Sequence, residues 1–163
     1  MKNIVIDIHA HFIPKLLYER YDANASKFPG VRLLRDAKGI RMQFPGGEPT
    51  RPISPKLSDT ADRRAWMDRN GIDHQLVGGW LDSFGYELPT GEGLAWSRFY
   101  NDCLEEELDD ETRFTPLATV PLQHGVPPPM QLRPFGRQQL HRTPLPDLST
   151  LQLPQQAPSV DRQ

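Results

Sequence analysis

The chain has 163 residues, a formal net charge of −2 and a sequence pI near 6.2. This length fits one ordinary domain, and the slightly acidic balance argues against a protein that binds DNA or RNA. A single cysteine, Cys103, excludes an intrachain disulfide framework. Because the chain shows neither a secretory signal nor an apolar run of about 18 residues, we expect no membrane span and a cytoplasmic location.

The first predicted element is a buried strand that ends in two histidines. The apolar run Ile4–Ile6 leads into Asp7, His9 and His11, which are spaced two residues apart. Because side chains alternate along a strand, we expect these three side chains on one face. Two imidazoles suit zinc and neighbouring divalent metals, but a catalytic zinc needs three protein ligands. The alternative is a pair of hydrogen-bonded structural histidines, and the strand context favours the metal site.

Helices and strands alternate through the following part of the sequence. In chain order we predict an amphipathic turn (15–21), a linker (25–29), a β-hairpin (31–35 and 40–44), a helix (58 or 59 to 69), a second strand (72–77), a second helix (about 92–108) and a third strand (114–122). Gly39 is available for a positive φ in the hairpin turn, and Asn70-Gly71 is typical of a helix C-terminus. This alternation implies right-handed crossovers and a parallel sheet, and therefore an α/β fold.

The composition changes abruptly near Leu122. The last lysine is Lys56 and the last glutamate is Glu111, whereas eight of the ten glutamines lie from Gln123 onward. Segment 123–163 is rich in Pro, Gln and Arg and has no strand or helix periodicity, so we predict a disordered tail. The abrupt change also motivates a hypothesis that the reading frame shifts here, which the nucleotide sequence would test by translation of the two other frames.

Several motifs resemble, in order and spacing, those of a known family. They lie in segments 6–14, 51–53, 63–68, 71–75, 84–86, 101–102 and 117–123. On these segments the chain resembles the amidohydrolase superfamily, in its aminocarboxymuconate-semialdehyde decarboxylase-like branch. The resemblance implies that residues 1–122 form the N-terminal part of a (β/α)8 TIM-like barrel, with a small β-hairpin insertion at about 27–53. A complete barrel typically needs about 250 residues.

The resemblance also assigns roles to individual residues. His9 and His11 become metal ligands at the carboxyl end of the first barrel strand, where barrel active sites lie. Arg51 matches an arginine that holds a substrate carboxylate, for which a guanidinium offers a fixed fork of donors. Residue type alone favours a solvated loop arginine at position 51, and only the family match reverses this interpretation. The implied cofactor is a divalent metal, zinc first and manganese as the alternative, and the implied partner is a small-molecule carboxylate.

The remaining chemistry of the family has no counterpart in this sequence. Its third histidine ligand, catalytic histidine and final aspartate ligand come from later strands, so we assign no catalytic residue here. His124 and His141 lie in the predicted tail and do not replace them. We expect Phe84 and Tyr86 either to line the site or to serve as ordinary packing, and His74 to be structural.

Three functions therefore remain open. The first is a metal-dependent carboxy-lyase, truncated and inactive in this form, with a hydrolase of the same superfamily as the alternative. The second is a non-catalytic fragment whose uncovered sheet edge favours self-association or a homo-oligomer. The third is an interaction protein with a proline-rich tail, which has little support because Pro127–Pro129 belongs to no P-x-x-P spacing in the tail.

Overall fold

The computed structural model describes residues 3–121, and the predicted disordered tail lies outside the described residues. The strands are β1 (Ile6–Phe12), β2 (Arg32–Asp36), β3 (Gly39–Gln43), β4 (His74–Gly79) and β5 (Phe114–Leu117). The helices are α1 (Lys15–Asn24), α2 (Pro55–Ser58), α3 (Thr60–Asn70) and α4 (Thr90–Leu108), with short 3₁₀ turns at Ala25–Lys27 and Leu81–Ser83. The predicted α/β class is confirmed, while α2 and the turn at Leu81–Ser83 were not predicted.

Three strands form a parallel sheet in the order β1-β4-β5. Ile6 lies opposite His74, and Gln75 lies opposite Phe114. The predicted third strand is shorter than expected, because it ends at Leu117 rather than at residue 122. Pro116 is tolerated within β5 because this strand pairs on one side only in the described part, so one row of its backbone donors has no ladder partner to lose.

An irregularity in β1 changes which face each side chain occupies. Asp7 lies opposite Gln75, but Ala10 lies opposite Val77, so β1 carries one more residue than β4 across this stretch. The prediction that Asp7 shares a face with the two histidines is therefore wrong. An extra residue in one strand shifts every later side chain to the other face, which places Asp7 on the same side as Ala10.

Local signals set the limits of the central helix and the hairpin. The side chain of Asp59 accepts a hydrogen bond from Asp62 N at 2.9 Å and caps α3, which ends at Gly71 with φ 66°. β2 and β3 pair as the predicted antiparallel hairpin, and Gly39 has φ 104°. These conformations follow from a capping aspartate and from glycines, which reach positive φ without steric cost.

The helices cover one face of the sheet, and within residues 3–121 no helix covers the other, which we call the open face. Large side chains that are fully buried on the covered side include Phe12, Leu17, Met67, Val77, Trp96, Tyr100 and Leu104. On the opposite side, Ile6 and Ile8 are 51% and 75% exposed, and Leu117 is 44% exposed. None of the described helices is long and apolar enough to cross a bilayer.

Candidate metal centre

The imidazole rings of His9 and His11 lie next to each other near the carboxyl end of β1. Their ring centroids are 5.1 Å apart, and the ring planes are nearly perpendicular at 84°. The extra residue in β1 keeps both rings on the open side of the sheet, where they line a cleft with a volume of about 330 Å³. The prediction that His9 and His11 share a face is confirmed, whereas the face predicted for Asp7 is wrong.

A backbone carbonyl fixes the tautomer of His11. Its Nδ1 lies 3.0 Å from the carbonyl oxygen of Gly79, the last residue of β4. Because a carbonyl can only accept, Nδ1 must carry the proton, and the lone pair of a neutral ring then lies on Nε2. Metal-binding histidines commonly donate their second N–H to a carbonyl or carboxylate in this way. Nε2 is therefore the atom of His11 that can bind a cation.

The hydrogen bond between His11 and the carbonyl of residue 79 requires a glycine at that position. A Cβ at Gly79 would lie 2.3 Å from Cε1 of Phe84 and 3.0 Å from Cε1 of Tyr100. Two aromatic rings therefore pack directly on the backbone that bears the acceptor carbonyl. A larger residue would displace this backbone or the rings, and with it the partner of His11.

A buried tyrosine joins the ends of the two strands that carry the site. The hydroxyl of Tyr100, on α4, donates to Phe12 O at 2.9 Å and accepts from Trp80 N at 3.2 Å. Burial raises the pKa of this phenol, so it stays a neutral donor. Because Phe12 follows His11 and Trp80 follows Gly79, this hydroxyl fixes the spacing of the strand ends at the histidine pair.

Arg51 lies at the same end of the sheet. Its guanidinium is 5.8 Å from the ring centroid of Trp80, and Nη2 is 3.3 Å from Oδ2 of Asp82. The side chain is 78% exposed, so it remains accessible to a solute anion. Since Trp80 directly follows Gly79, the fold brings Arg51 to the strand ends that hold His11.

Individual known proteins are similar to the chain, although no protein-family model matches it. The chain is 30% identical over 123 residues to 2-amino-3-carboxymuconate-6-semialdehyde decarboxylase from Caenorhabditis elegans, an alignment that covers 74% of this chain. Its fold is similar to the crystal structure of IDCase from Metarhizium anisopliae in its apo form, with a TM-score of 0.51, 16% identity and 74% coverage of this chain. The resemblance to the amidohydrolase superfamily is therefore confirmed by a relative that is 30% identical.

The chain spans 30% of the length of the C. elegans relative and 35% of the IDCase chain. A further structure, amidohydrolase map2389c from Mycobacterium avium subsp. paratuberculosis K-10, matches with a TM-score of 0.47 and 16% identity, over 72% of this chain and 43% of its own. The three described parallel strands are one part of an α/β fold, and a closed barrel stays a prediction.

Two aromatic residues also line the cleft. The rings of Phe84 and Tyr86 are 5.5 Å apart, and the Tyr86 side chain is 48% exposed. Phe84 has both roles that the sequence left open, because it packs on Gly79 and lines the cleft beside His9 and His11. Leu117 and Thr119, at and after the end of β5, lie on the other side of the cleft.

His74 lies at the opposite end of β4 from the cleft. Its Nε2 is 2.8 Å from Oγ1 of Thr115, a residue of the neighbouring strand. Burial, together with the positive charge of Arg113, lowers the pKa of this imidazole. A neutral ring that joins two strands by a hydrogen bond agrees with the structural role predicted for it.

The sequence reasoning missed the side chains that support the histidine pair from the covered side. Tyr100, Arg63 and Gln75 contact the backbone or side chains of β1 from α4, α3 and β4. Arg63 had one usable signal, because it belongs to a motif of the family resemblance. Gln75 had the same kind of signal, because it ends the 71–75 motif, whereas Tyr100 had none, since its role depends on which strands become neighbours.

The residues present fit part of a divalent metal site. His9 and His11 offer two nitrogen donors of a type that zinc, and to a lesser degree manganese, accepts. Within residues 3–121, no third His, Cys, Asp or Glu joins them in a group able to hold a metal ion. The described residues therefore supply two ligands, and further ligands have to come from elsewhere.

Proposed function

We propose that this chain provides the first metal ligands and the carboxylate anchor of a metal-dependent decarboxylase that acts on a small carboxylated compound. The observation that carries the proposal is the His11 ring, whose Nδ1 is held by Gly79 O and whose Nε2 is left for a cation beside His9. The C. elegans relative, a decarboxylase by name, supports the choice of reaction.

Each residue has a defined part in this proposal. His9 and His11 hold a divalent cation, zinc first and manganese as the alternative, which supplies Lewis-acid polarisation of a substrate oxygen. Arg51 binds the substrate carboxylate, because its guanidinium is exposed and is oriented by Trp80 and Asp82. No described residue is assigned to proton transfer.

We further propose that the chain is inactive on its own. A catalytic zinc uses three protein ligands and an open position, whereas the described residues bring two imidazoles together. We also propose that residues 1–122 form part of a barrel and that the protein is cytoplasmic. An assay of carbon dioxide release from 2-amino-3-carboxymuconate-6-semialdehyde would test the inactivity, because measurable, metal-dependent turnover would contradict it.

Metal titration of the purified full chain tests the histidine pair. We expect zinc to bind weakly, and we expect His9→Ala or His11→Ala to abolish that binding. His74→Ala is the matched control, because this histidine lies at the other end of β4 and should leave zinc affinity unchanged. Binding that survives both His9→Ala and His11→Ala, or that disappears with His74→Ala, would show that the ligands are elsewhere.

An anion titration tests Arg51 separately. Malonate, added while amide chemical shifts are followed by NMR, should perturb the signals of Trp80 and Asp82 in the wild type and not in Arg51→Gln. Arg35→Gln is the matched control, since Arg35 is also a partly exposed arginine paired with an aspartate, Asp22, at 3.1 Å. If malonate perturbed the signals of Trp80 and Asp82 equally in Arg51→Gln and Arg35→Gln, Arg51 would be a solvated loop residue that does not bind the anion.

A further inference from the structure

One arginine reaches the histidine pair from the covered side of the sheet. Arg63, in the first turns of α3, donates from Nη2 to His11 O at 2.7 Å and to Lys56 O at 3.0 Å. Its guanidinium lies 5.6 Å from the ring centroid of Phe12. Arg63 therefore holds the peptide unit between His11 and Phe12 by a charged hydrogen bond and by contact with the ring that follows it.

The placement of this guanidinium is energetically costly. Burial lowers the pKa of Arg63, which means that the charged form is partly removed from water. The negative charge of Asp7 raises this pKa in part, but no salt bridge joins Arg63 to an acid in the described part, and its buried Nε has no hydrogen-bond partner there. A charge that is desolvated mainly to serve backbone carbonyls contributes little net stability, so its position calls for another reason.

The network extends from Arg63 to the other histidine. Arg63 Nη1 is 3.4 Å from Oε1 of Gln75, a fully buried residue whose Nε2 donates to Asp7 Oδ2 at 2.8 Å. The second oxygen of Asp7, Oδ1, accepts from His9 N at 3.1 Å. A continuous path of polar groups therefore contacts the His9 N–H at one end and the His11 C=O at the other.

This path spans the irregular part of β1. Between Asp7 and Ala10 the regular pairing with β4 is interrupted, so the ladder does not by itself fix the peptide units there. The Asp7 carboxylate and the Arg63 guanidinium provide the missing constraints on either side of Ala10. The two rings depend on these peptide units for their spacing, because a single Cβ methylene joins each ring to its Cα.

We propose that Arg63, acting with Gln75 and Asp7, is a positioning residue that sets the spacing and orientation of the His9 and His11 rings for a divalent cation. The inference rests on the proposed metal-dependent function. Residues that orient ligands without touching the metal typically change metal affinity about 10- to 100-fold when they are lost. We expect a loss in this range when the Arg63 guanidinium is removed.

Zinc and cobalt titrations of the full chain test this role. Arg63→Gln should lower metal affinity about 10- to 100-fold, and Arg63→Lys should recover part of the loss because one donor can still reach His11 O. Arg64→Gln is the matched control, since Arg64 is the next residue on α3 and pairs with Glu111 instead. Thermal unfolding of each variant is recorded in parallel, and affinities are compared where circular dichroism shows a folded protein.

The cobalt absorption spectrum adds a reading that stability alone would not change. In Arg63→Gln the ligand-field bands should shift or weaken, whereas in Arg64→Gln they should match the wild type at saturation. If Arg63→Gln does not fold, Arg63→Lys decides: reduced affinity supports the inference, and wild-type affinity overturns it.

The possible failures are distinct. Wild-type affinity and spectrum in Arg63→Gln, with binding still abolished by His11→Ala, would overturn the positioning role and leave the proposed function intact. Absence of histidine-dependent binding in the wild type would overturn the proposed function and this inference together. An equal loss of affinity in Arg63→Gln and Arg64→Gln would show a general structural effect and would also overturn the inference.

Discussion

The two faces of the three-stranded sheet differ in what covers them. On one face, Gln75 and Val77 of β4 are buried beneath the helices, together with Phe12 of β1. On the other face, Ile6 and Ile8 of β1 are largely exposed. Segments close in sequence to each strand build the covered face, whereas the open face has no cover within residues 3–121.

The candidate site is divided between these faces. The His9 and His11 rings line the cleft on the open side, but Tyr100, Arg63 and Gln75 support their strand from the covered side. The side chains that support the histidine pair are therefore present within the described residues, but a third metal ligand on the open side is not among these residues. Substitutions on the open face can therefore change metal binding with little effect on stability, whereas substitutions on the covered face can change both.

The largest expected effect contrasts a core tryptophan with an exposed isoleucine. Trp96 is 1% exposed, its Nε1 donates to Ser83 O at 2.9 Å, and its ring centroid lies 5.2 Å from that of Phe28. Trp96→Ala should lower the free energy of unfolding by about 3–5 kcal/mol through loss of burial and formation of a cavity. Ile8→Ser should change it by only about 0.5 kcal/mol or less in either direction.

Urea denaturation of the full chain measures both variants. A loss for Ile8→Ser as large as that for Trp96→Ala would mean that the open face is buried in solution, and dilution would then test self-association. If self-association were found, the open face would be an interface between copies of the chain, and the two faces would no longer differ in burial. A concentration-independent midpoint with a small Ile8→Ser effect would preserve the contrast.

Local signals explain why much of the fold could be predicted from the sequence. The capping Asp59, the terminal Gly71 and the turn Gly39 each act on their own neighbours, so their effect is readable without knowledge of the fold. The histidine pair was likewise predictable, because His9 and His11 lie at the end of an apolar strand. The resemblance to the superfamily followed from the order of several such motifs.

The parts that could not be predicted depend on distant pairing. The bond between Tyr100 and Phe12 spans 88 residues, and that between His11 and Gly79 spans 68. Neither pair has a local signature, since each exists only after β1 and β4 become neighbours. The extra residue in β1 is similarly a property of the register with β4, which is why the face of Asp7 was predicted wrongly.

A smaller effect is expected from the tyrosine that links the covered side to the site. Tyr100→Phe keeps the ring but leaves Phe12 O and Trp80 N without their buried partner, which should cost about 1–3 kcal/mol. Hydrogen exchange at the Trp80 amide should accelerate more than the global loss explains. Tyr86→Phe is the matched control, because the Tyr86 side chain is half exposed. Equal results for the two variants would mean that the hydroxyl of Tyr100 does not fix the spacing of the strand ends.

The smallest effect concerns His74 and the pH dependence of stability. Burial and the charge of Arg113 lower the pKa of His74 below its ordinary value of 6.5 in the folded chain. The unfolded chain therefore binds a proton at a higher pH than the folded chain does, so protonation favours unfolding and stability is lost as the pH falls below about 6.5. The contribution is fully present above that value.

His74→Gln can keep a hydrogen bond to Thr115 but cannot titrate. The difference in urea midpoint between about pH 7.5 and about pH 5.5 should be smaller in this variant than in the wild type. An identical difference would mean that His74 has the same proton affinity folded and unfolded, and that this end of the sheet, far from the cleft, is more open to water than its packing indicates.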